Sequence, residues 1–323
     1  MKKDKVKTAL ITGAFGQDGY FLTERLLALG SYRVICTSNS LSKNSRPFSS
    51  HEAIVYESLD IKNDFEVFNI VKKYKPDELY HLASFSAPIV SWDDPREVID
   101  INGSSTLCFL DAIRLYSPQT KFFFASSAKI FGKPKETPQN ENSFIDPLDP
   151  YSLGKYIGNQ SVKLYRNKFN IFACNGVLYN HESHLKNVNF VCYKICHFAN
   201  KLKKGEISSF SLLDSTATID LGDPRDYVEA MRLIIQQDKA EDYIISMNKS
   251  ISIREICLQV GNLLEIKDIM SYINFEHKSQ RISASGPRGD NEKLKSIGWV
   301  PRFNTRDTLS LILQDGLSQK TSP

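Results

Sequence analysis

The chain has 323 residues, of which 41% are hydrophobic and 24% are charged, and its formal net charge is +4. This composition is typical of a globular protein, and the mild, dispersed positive charge does not indicate a nucleic-acid partner. No apolar run approaches the roughly eighteen residues that a membrane span needs, so the sequence predicts no membrane association. The basic start leads directly into a strand-like run and a glycine turn, unlike a signal peptide, and we therefore expect a cytoplasmic protein.

Six cysteines are scattered along the chain, most of them in apolar stretches, and we expect them to be reduced and buried: Cys36, Cys108, Cys174, Cys192, Cys196 and Cys257. Cys192, Cys196 and His197 have the spacing of one helical turn. Zinc sites usually pair closer cysteines with a second half-site, and the sequence contains no such half-site. The sequence therefore predicts no metal site.

The first half of the chain alternates β-branched runs with helical patterns. The predicted strands are Lys7–Thr12, Arg33–Ser38, Ala53–Glu57, Glu78–Leu82, Lys121–Ser126 and Asn170–Leu178. The predicted helices are Gln17–Leu29, Asp64–Tyr74, Pro95–Tyr116 and Tyr151–Asn167. This alternation predicts an α/β protein with a Rossmann-type, doubly wound parallel sheet, whose ligands bind at the carboxyl ends of the strands.

The second half has a looser pattern. Helices are expected at Phe190–Lys203, Asp226–Gln237, Asp290–Ile297 and Arg306–Leu317, and strands at Phe210–Leu213 and Tyr243–Met247. A further helix follows Ser252, whose spacing to Glu255 is that of a capping box. We predict a dinucleotide-binding domain over residues 1–178 and a smaller C-terminal α/β substrate lobe over residues 179–323, with some segments returning to the first domain.

The turn after the first strand has the features of a dinucleotide site. Glycines in such a turn let the backbone approach a pyrophosphate, and the following helix presents its N-terminal amides. The candidate residues in the turn are Gly13, Gly16, Gln17, Asp18 and Gly19. Asp60 and Ile61, after the third strand, are candidates for the adenine edge, and Leu82, Ala83 and Ser84, after the fourth strand, for the middle of the cofactor.

The end of the second strand discriminates between NAD and NADP. An acid there would bond the adenosine 2′-hydroxyl, but the chain has hydroxyl and amide side chains from Thr37 onward, including Ser38 and Asn39. The cations Lys43 and Arg46 follow shortly afterwards. NADP(H) is therefore favoured, and NAD(H) remains an alternative.

A catalytic set follows the fifth strand. Ser127 lies at the strand's carboxyl end, and Tyr151 and Lys155 open the next helix on one face, since they are four residues apart. A neighbouring ammonium stabilises a tyrosinate, so we expect Lys155 to lower the pKa of Tyr151. Tyr151 would then act as general base on a sugar hydroxyl while a hydride leaves the same carbon, and Ser127 would hold that oxygen.

These motifs resemble the extended short-chain dehydrogenase/reductases, and among them the GDP-mannose 4,6-dehydratases. The resemblance runs through nearly the whole chain and includes TGAFGQDG (12–19), KPDELYHLASFS (75–86), DPYSLGK (149–155), ACNGVLYNHES (173–183) and GDNEKLKSIGW (289–299). It implies a nucleotide-activated hexose as substrate, with a GDP-sugar favoured, a homodimer or homotetramer, and a role in polysaccharide biosynthesis. It also implies cofactor contacts from Leu178 and His181, and substrate contacts from Ser86, Ser127, Asn180, Lys194 and Arg281.

Three departures separate the chain from that pattern. The family's glutamate, two residues after the strand-five Ser/Thr, is replaced by Lys129. The family's Arg-Asp-Trp triplet is replaced by residues 219–221, Ile-Asp-Leu, and its arginine-containing loop by residues 184–188. The glutamate serves water elimination from C5 and C6, so Lys129 puts that step in doubt and leaves C4 oxidation intact.

Three functions therefore remain open. The first is a dehydratase of the GDP-mannose 4,6-dehydratase type, with Ser127, Tyr151, Lys155 and Lys129 at the catalytic site. The second is a sugar-nucleotide C4 oxidoreductase or epimerase without water elimination. The third is a dinucleotide-binding pseudoenzyme or sensor, against which the intact Ser127, Tyr151 and Lys155 set argues.

Overall fold

The computed structural model describes residues 6–39, 48, 51–85, 91–133, 135–276 and 286–318. Its strands are β1 (Lys7–Thr12), β2 (Tyr32–Ser38), β3 (Ile54–Ser58), β4 (Glu78–His81), β5 (Lys121–Ser127), β6 (Ala173–Leu178), β7 (Asn180–His181), β8 (Phe210–Leu212), β9 (Thr218–Gly222), β10 (Tyr243–Ile245), β11 (Ser250–Ser252) and β12 (Ile273–Phe275). Its helices are α1 (Gln17–Ala28), α2 (Asp64–Tyr74), α3 (Pro95–Ile99), α4 (Ser105–Tyr116), α5 (Pro150–Phe169), α6 (Val191–Lys203), α7 (Pro224–Ile235), α8 (Ile253–Leu264), α9 (Glu292–Ser296) and α10 (Thr305–Ser318).

The main sheet has seven strands in the order β10-β6-β5-β4-β1-β2-β3, and every neighbouring pair is parallel. The chain winds outward from β1 in both directions, so the strand order reverses between β1 and β4. In doubly wound sheets this switch point forms the ligand crevice. The prediction of a Rossmann-type α/β fold is confirmed.

Each face of the sheet is covered by helices, as near-continuous apolar strands require. One face packs against α1 and α7, through Phe21, Leu22, Tyr227 and Met231. The other face packs against α2, α4 and α5, and its buried residues include Phe109 and Val162. Residues on both sides of position 178 thus share the first cluster, and β10 pairs with β6. The domain boundary at 178 stays a prediction.

A second apolar cluster lies under the smaller sheets. It joins α6, α8 and α10 through Cys192, Ile195, Cys257, Val260 and Leu309. Above it lie a three-stranded sheet in the order β11-β9-β7 and a parallel pair of β8 with β12. The capping box that the sequence predicts at Ser252 and Glu255 is present at the start of α8.

Two predicted elements differ in detail from the structure. The predicted helix Pro95–Tyr116 contains a π-helical segment, Asp100–Ser104, between α3 and α4. The strand predicted from Asn170 begins at Ala173, because Asn170 ends α5 in the left-handed conformation with φ 53°. The remaining predicted elements appear with boundaries shifted by about one or two residues, as is usual for element ends.

All six cysteines are buried free thiols. Burial raises the pKa of each thiol, to about 11 for Cys36 and about 12 for Cys174. Within the described segments, no three His, Cys, Asp or Glu side chains are grouped as metal ligands would be. No helix in those segments combines the length and apolarity needed to span a bilayer.

Candidate active site

The glycine turn between β1 and α1 is shaped for close approach of a ligand. Gly13 has φ +67°, and a Cβ there would lie 2.8 Å from the backbone of Ala83. A Cβ on Gly19 would collide with the Gly13 carbonyl. The N-cap residue Gly16 supplies no side-chain hydrogen bond, so the amides in the first turn of α1 are open to an anion. This turn fits the diphosphate of a dinucleotide.

Hydrogen bonds connect the carboxyl ends of β1 and β4 beside this turn. The amides of Leu82 and Ala83 both donate to Thr12 Oγ1 at 3.1 Å. Because Thr12 Oγ1 accepts these bonds, its own proton is available for Nδ1 of buried His81, 2.8 Å away. Ser84 Oγ donates to Asn102 Oδ1 at 3.0 Å. The segment 82–84 is therefore fixed at the switch point of the sheet, and its contact with the middle of a cofactor stays a prediction.

Asn102 is a site residue that sequence reasoning missed. It lies in the π-helical segment, and its side-chain oxygen also accepts from the Phe85 amide at 2.9 Å, while its Nδ2 donates to the Phe85 carbonyl at 3.2 Å. A single π-helical turn leaves the spacing of apolar residues nearly unchanged, so it cannot be predicted from helical periodicity. A polar residue on the buried face of an otherwise apolar helix is the one indication that the sequence offers.

The residues expected around the adenosine end lie at the carboxyl edge of β2 and β3. Ser38 ends β2, Asn39 is exposed, and the Ser38 carbonyl accepts from the Leu59 amide at 3.0 Å. Asp60 accepts from the Lys62 amide at 3.0 Å, and Ile61 is half-buried. Lys43 and Arg46, which support NADP(H) in the sequence, lie outside the described residues.

The serine, tyrosine and lysine converge at the carboxyl end of β5. Ser127 ends that strand and is 8% exposed. Asp149 and Ser152 form a capping box that starts α5 at Pro150, which places Tyr151 in the first turn and Lys155 one turn later. The Ser127 hydroxyl is close enough to the Tyr151 phenol to lower its pKa. Lys155 is buried, and its ammonium donates to the Ala125 carbonyl at 2.8 Å.

The electrostatics of this set differ from the expectation. Burial lowers the pKa of Lys155 to about 7, which the charge of Asp18 partly opposes. Burial raises the pKa of Tyr151, the Ser127 hydrogen bond partly offsets that, and the charges of Asp149 and Asp18 add to the rise. The expected lowering of the Tyr151 pKa by Lys155 is therefore wrong for this structure, because desolvation dominates and the ammonium is bonded to Ala125. The glycine turn is therefore close enough to Tyr151 and Lys155 for the charge of Asp18 to act on both groups.

The motif NHES, residues 180–183, is bonded to the glycine turn across more than half of the sequence. His181 Nε2 lies 2.9 and 3.0 Å from the two carboxylate oxygens of Asp18. Ser183 Oγ donates to Gln17 Oε1 at 2.8 Å, and Gln17 Nε2 donates to the His181 carbonyl at 3.1 Å. The sequence identified GQDG and YNHES as separate motifs, but nothing in their local pattern indicated that they touch.

The remaining predicted substrate residues surround β7 and α6. Asn180 has an exposed side chain, and Lys194 is half-buried near the start of α6, with no ion pair to a described residue. Glu182 is a second residue that the sequence missed. Its buried carboxylate accepts from the Cys192 and Tyr193 amides at 3.0 Å and caps α6. Leu178 lies buried at the end of β6. Ser86 and Arg281 lie outside the described residues.

The chain matches the model of a known family over most of its length. The family described as GDP-mannose 4,6 dehydratase matches residues 10–311. The chain belongs to this family. A GDP-mannose 4,6 dehydratase of Dictyostelium discoideum is 35% identical over 261 residues, which cover 77% of this chain and 73% of that protein. A GDP-mannose 4,6-dehydratase of Yersinia enterocolitica is 32% identical and covers 97% of this chain and 95% of the relative.

Solved structures share the fold of this dehydratase family member. A dTDP-glucose 4,6-dehydratase from Bacillus anthracis, in complex with NAD, superposes with a TM-score of 0.82 over 98% of this chain and 97% of that chain. The identity is 18%, so this likeness supports the fold alone. The family that the sequence motifs predict is confirmed, and with it the prediction of an enzyme family that acts on nucleotide sugars.

Lys129 stands at the position where the resemblance places the family's glutamate. It lies in a short 3-10 helix, Ala128–Phe131, and its amide donates to Ser127 Oγ at 3.2 Å. Its side chain is exposed and makes no hydrogen bond or ion pair with the described residues. The nearby Glu136 and Glu141 are engaged elsewhere, since Glu136 accepts from Ser143 Oγ and Glu141 from the Ile244 amide. None of the three has contacts that identify it as the base for water elimination.

Proposed function

We propose that this chain oxidises the hexose of a nucleotide sugar at C4, as the first step of a reaction of the GDP-mannose 4,6-dehydratase type. The observation that carries the proposal is the convergence of Ser127, at the end of β5, with Tyr151 and Lys155 in the first turns of α5, where the Lys155 ammonium is bonded to Ala125 of β5. Family membership supports a GDP-sugar as substrate.

The chain's own groups account for proton transfer at C4. Ser127 Oγ and the Tyr151 phenol hold the C4 hydroxyl. Tyr151 accepts its proton as tyrosinate, a form that burial disfavours and that is reached when the phenol passes its own proton to Lys155. Bound nicotinamide dinucleotide supplies the hydride acceptor for C4. Lys155, with its pKa near 7, takes up or releases a proton close to neutral pH, which suits it to the exchange of protons with Tyr151.

The dinucleotide that we propose is NADP(H). The end of β2 has Thr37 and Ser38 where an acid would exclude a 2′-phosphate, and Lys43 and Arg46 follow in the sequence. Titration with NADPH and NADH under identical conditions tests this preference. Tighter binding of NADH would contradict it.

The second candidate is a C4 oxidoreductase or epimerase that does not eliminate water. Lys129 favours this function, because it stands where the resemblance places the glutamate that serves water elimination. No carboxylate of the described residues is hydrogen-bonded to Ser127 to replace that glutamate. The C4 step is common to both candidates and uses the same Ser127, Tyr151 and Lys155.

The product distinguishes the two candidates. The protein would be incubated with GDP-mannose and other nucleotide hexoses in the presence of NADP+, and the sugar followed by NMR. A 6-deoxy-4-keto sugar without net change in the cofactor supports the dehydratase, and a 4-keto or 4-epimeric sugar that keeps its C6 oxygen supports the second candidate. Dinucleotide binding without conversion of any sugar would contradict both.

A further inference from the structure

An acid lies in the helix turn that is open to a diphosphate. Asp18 is the second residue of α1, whose first-turn amides have no side-chain cap. A helix N-terminus stabilises one anion there readily, but an unpaired carboxylate would compete with a bound diphosphate and repel it. The structure therefore has to compensate the charge of Asp18 if this turn binds a dinucleotide.

His181 provides that compensation. Its Nδ1 lies 2.7 Å from the Tyr179 carbonyl, which can only accept, so Nδ1 carries a proton. Its Nε2 faces both oxygens of Asp18. Burial alone would raise the pKa of Asp18. The charge and the hydrogen bond of His181 outweigh burial and hold this pKa well below its usual range. Both ring nitrogens of His181 thus face oxygens that accept, one of Tyr179 and two of Asp18, so the ring is placed to donate from both nitrogens and to offset the charge of the carboxylate.

The surroundings hold this pair in place. The His181 ring stacks on Tyr227 of α7, with centroids 4.4 Å apart, and burial keeps the Tyr227 phenol neutral by raising its pKa. The other charges that act on Asp18 or respond to it are those of Lys186, Lys155 and Tyr151. Both ring nitrogens of His181 are occupied, so neither can bond a ligand while it holds Asp18.

We propose that His181 is a positioning residue that compensates the charge of Asp18 and so makes the N-terminus of α1 able to bind the dinucleotide diphosphate. The proposal rests on the dinucleotide binding inferred above and assigns a new role to β7. His181 acts through Asp18 rather than by contact with the nicotinamide or the sugar. The bond between Ser183 and Gln17 is a second, uncharged tie between the same two segments.

Suppression by a second substitution tests the charge argument. His181→Gln keeps an N–H donor but removes the positive charge, and we expect it to weaken NADPH binding about tenfold, as loss of one charge-assisted interaction would. Asp18→Asn in the same chain removes the uncompensated carboxylate and should restore most of the lost affinity. NADPH fluorescence titration measures the dissociation constants of the parent, the single variants and the double variant.

The outcomes separate charge compensation from mere support of the fold. A double variant that binds no better than His181→Gln, or a His181→Gln chain that binds as tightly as the parent, would overturn the proposal. Ser183→Ala is the matched control, because it cuts the neutral tie to Gln17, and Asp18→Asn should not suppress its effect. Thermal unfolding shows whether the His181→Gln chain folds. If it does not fold, the Asp18→Asn single variant decides, because the proposal expects it to bind NADPH as tightly as the parent or more tightly.

These titrations involve no sugar turnover. A chain that binds NADPH but converts no nucleotide sugar would overturn the proposed reaction and leave the role of His181 standing. Parent protein that binds neither NADPH nor NADH would overturn the dinucleotide site itself, before any variant is compared.

Discussion

The proposed site has two halves that are built differently. The proton-transfer half is local, because Ser127 and the Tyr151–Lys155 pair come from β5 and α5, and one capping box at Asp149 sets their register. The anion-binding half is long-range, because Gln17 and Asp18 meet His181 and Ser183 across some 160 residues of sequence. A local motif can be identified from spacing alone, whereas the long-range half becomes visible only when the chain is folded.

The largest effect is expected in the local half. Tyr151→Phe removes the hydroxyl that accepts the C4 proton, and we expect turnover to fall about 10²–10⁴-fold. NADPH affinity should stay close to that of the parent, because the substitution leaves the glycine turn unchanged. Steady-state rates and NADPH titration together check this, and equal loss of binding and turnover would show that Tyr151 supports the fold of the site rather than its chemistry.

Gly13→Ala tests the turn on which both halves depend. The Cβ would meet the backbone of Ala83 at 2.8 Å, at a φ of +67°, so we expect dinucleotide affinity to fall at least about tenfold and stability by about 1–3 kcal/mol. Gly205→Ala is the matched control, since Gly205 has φ +70° but nothing within 4 Å of its Cβ. It should lose stability through strain and keep its NADPH affinity.

Lys155→Met tests the local half through the pH dependence of the protein's stability. The pKa of Lys155 falls from 10.5 to about 7 on folding, so between these values the unfolded chain binds more protons than the folded protein and stability rises with pH. The rise is at most about 1.4 kcal/mol per pH unit. Lys155→Met lacks this dependence, so it should be more stable than the parent near pH 7, with an advantage that shrinks toward pH 9.

Thermal unfolding of both proteins across that pH range checks the Lys155 prediction. A constant difference between the two melting temperatures would contradict the buried, easily deprotonated ammonium. Turnover by Lys155→Met should be largely lost at every pH, because Tyr151 loses its proton-exchange partner.

The smallest effect is expected at the N-cap of α8, which lies outside the proposed site. Ser252→Ala removes the side-chain cap of α8, which accepts from the Glu255 amide, and should cost about 1 kcal/mol of stability. NADPH affinity and turnover should not change. Denaturant unfolding measures the loss, and a change in affinity would mean that α8 influences the site in a way that its contacts do not indicate.

The sequence predicted what depends on local pattern. The glycine turn, the extent of α2, the capping box of α8 and the parallel, doubly wound character of the sheet follow from periodicity and turn chemistry. The strand at the position of β10 was predicted from a short β-branched run, whereas its pairing with β6 is known only from the structure. The roles of the site residues remain predictions, although the structure brings Ser127, Tyr151 and the glycine turn together.

What the sequence did not predict depends on a single turn or on distant contacts. The π-helical segment that aims Asn102 at Phe85 leaves the apolar pattern of the helix nearly unchanged. Glu182 caps a helix that begins nine residues later, beyond the range of a capping-box pattern. The direction of the Tyr151 pKa required the balance between burial and charge, which spacing does not contain.

Transfer of the C4 hydrogen is the central claim of this account, and a deuterium label follows it directly. GDP-mannose deuterated at C4 would be incubated with the protein and NADP+, and the label located by NMR. We predict that the deuterium leaves C4 and is recovered on C6 of a deoxy sugar, on C4 in the opposite configuration, or on the reduced nicotinamide beside a 4-keto sugar, and that Tyr151→Phe blocks all three. Converted product with its label still on C4 in the original configuration, or label transfer that persists in Tyr151→Phe, would contradict the account.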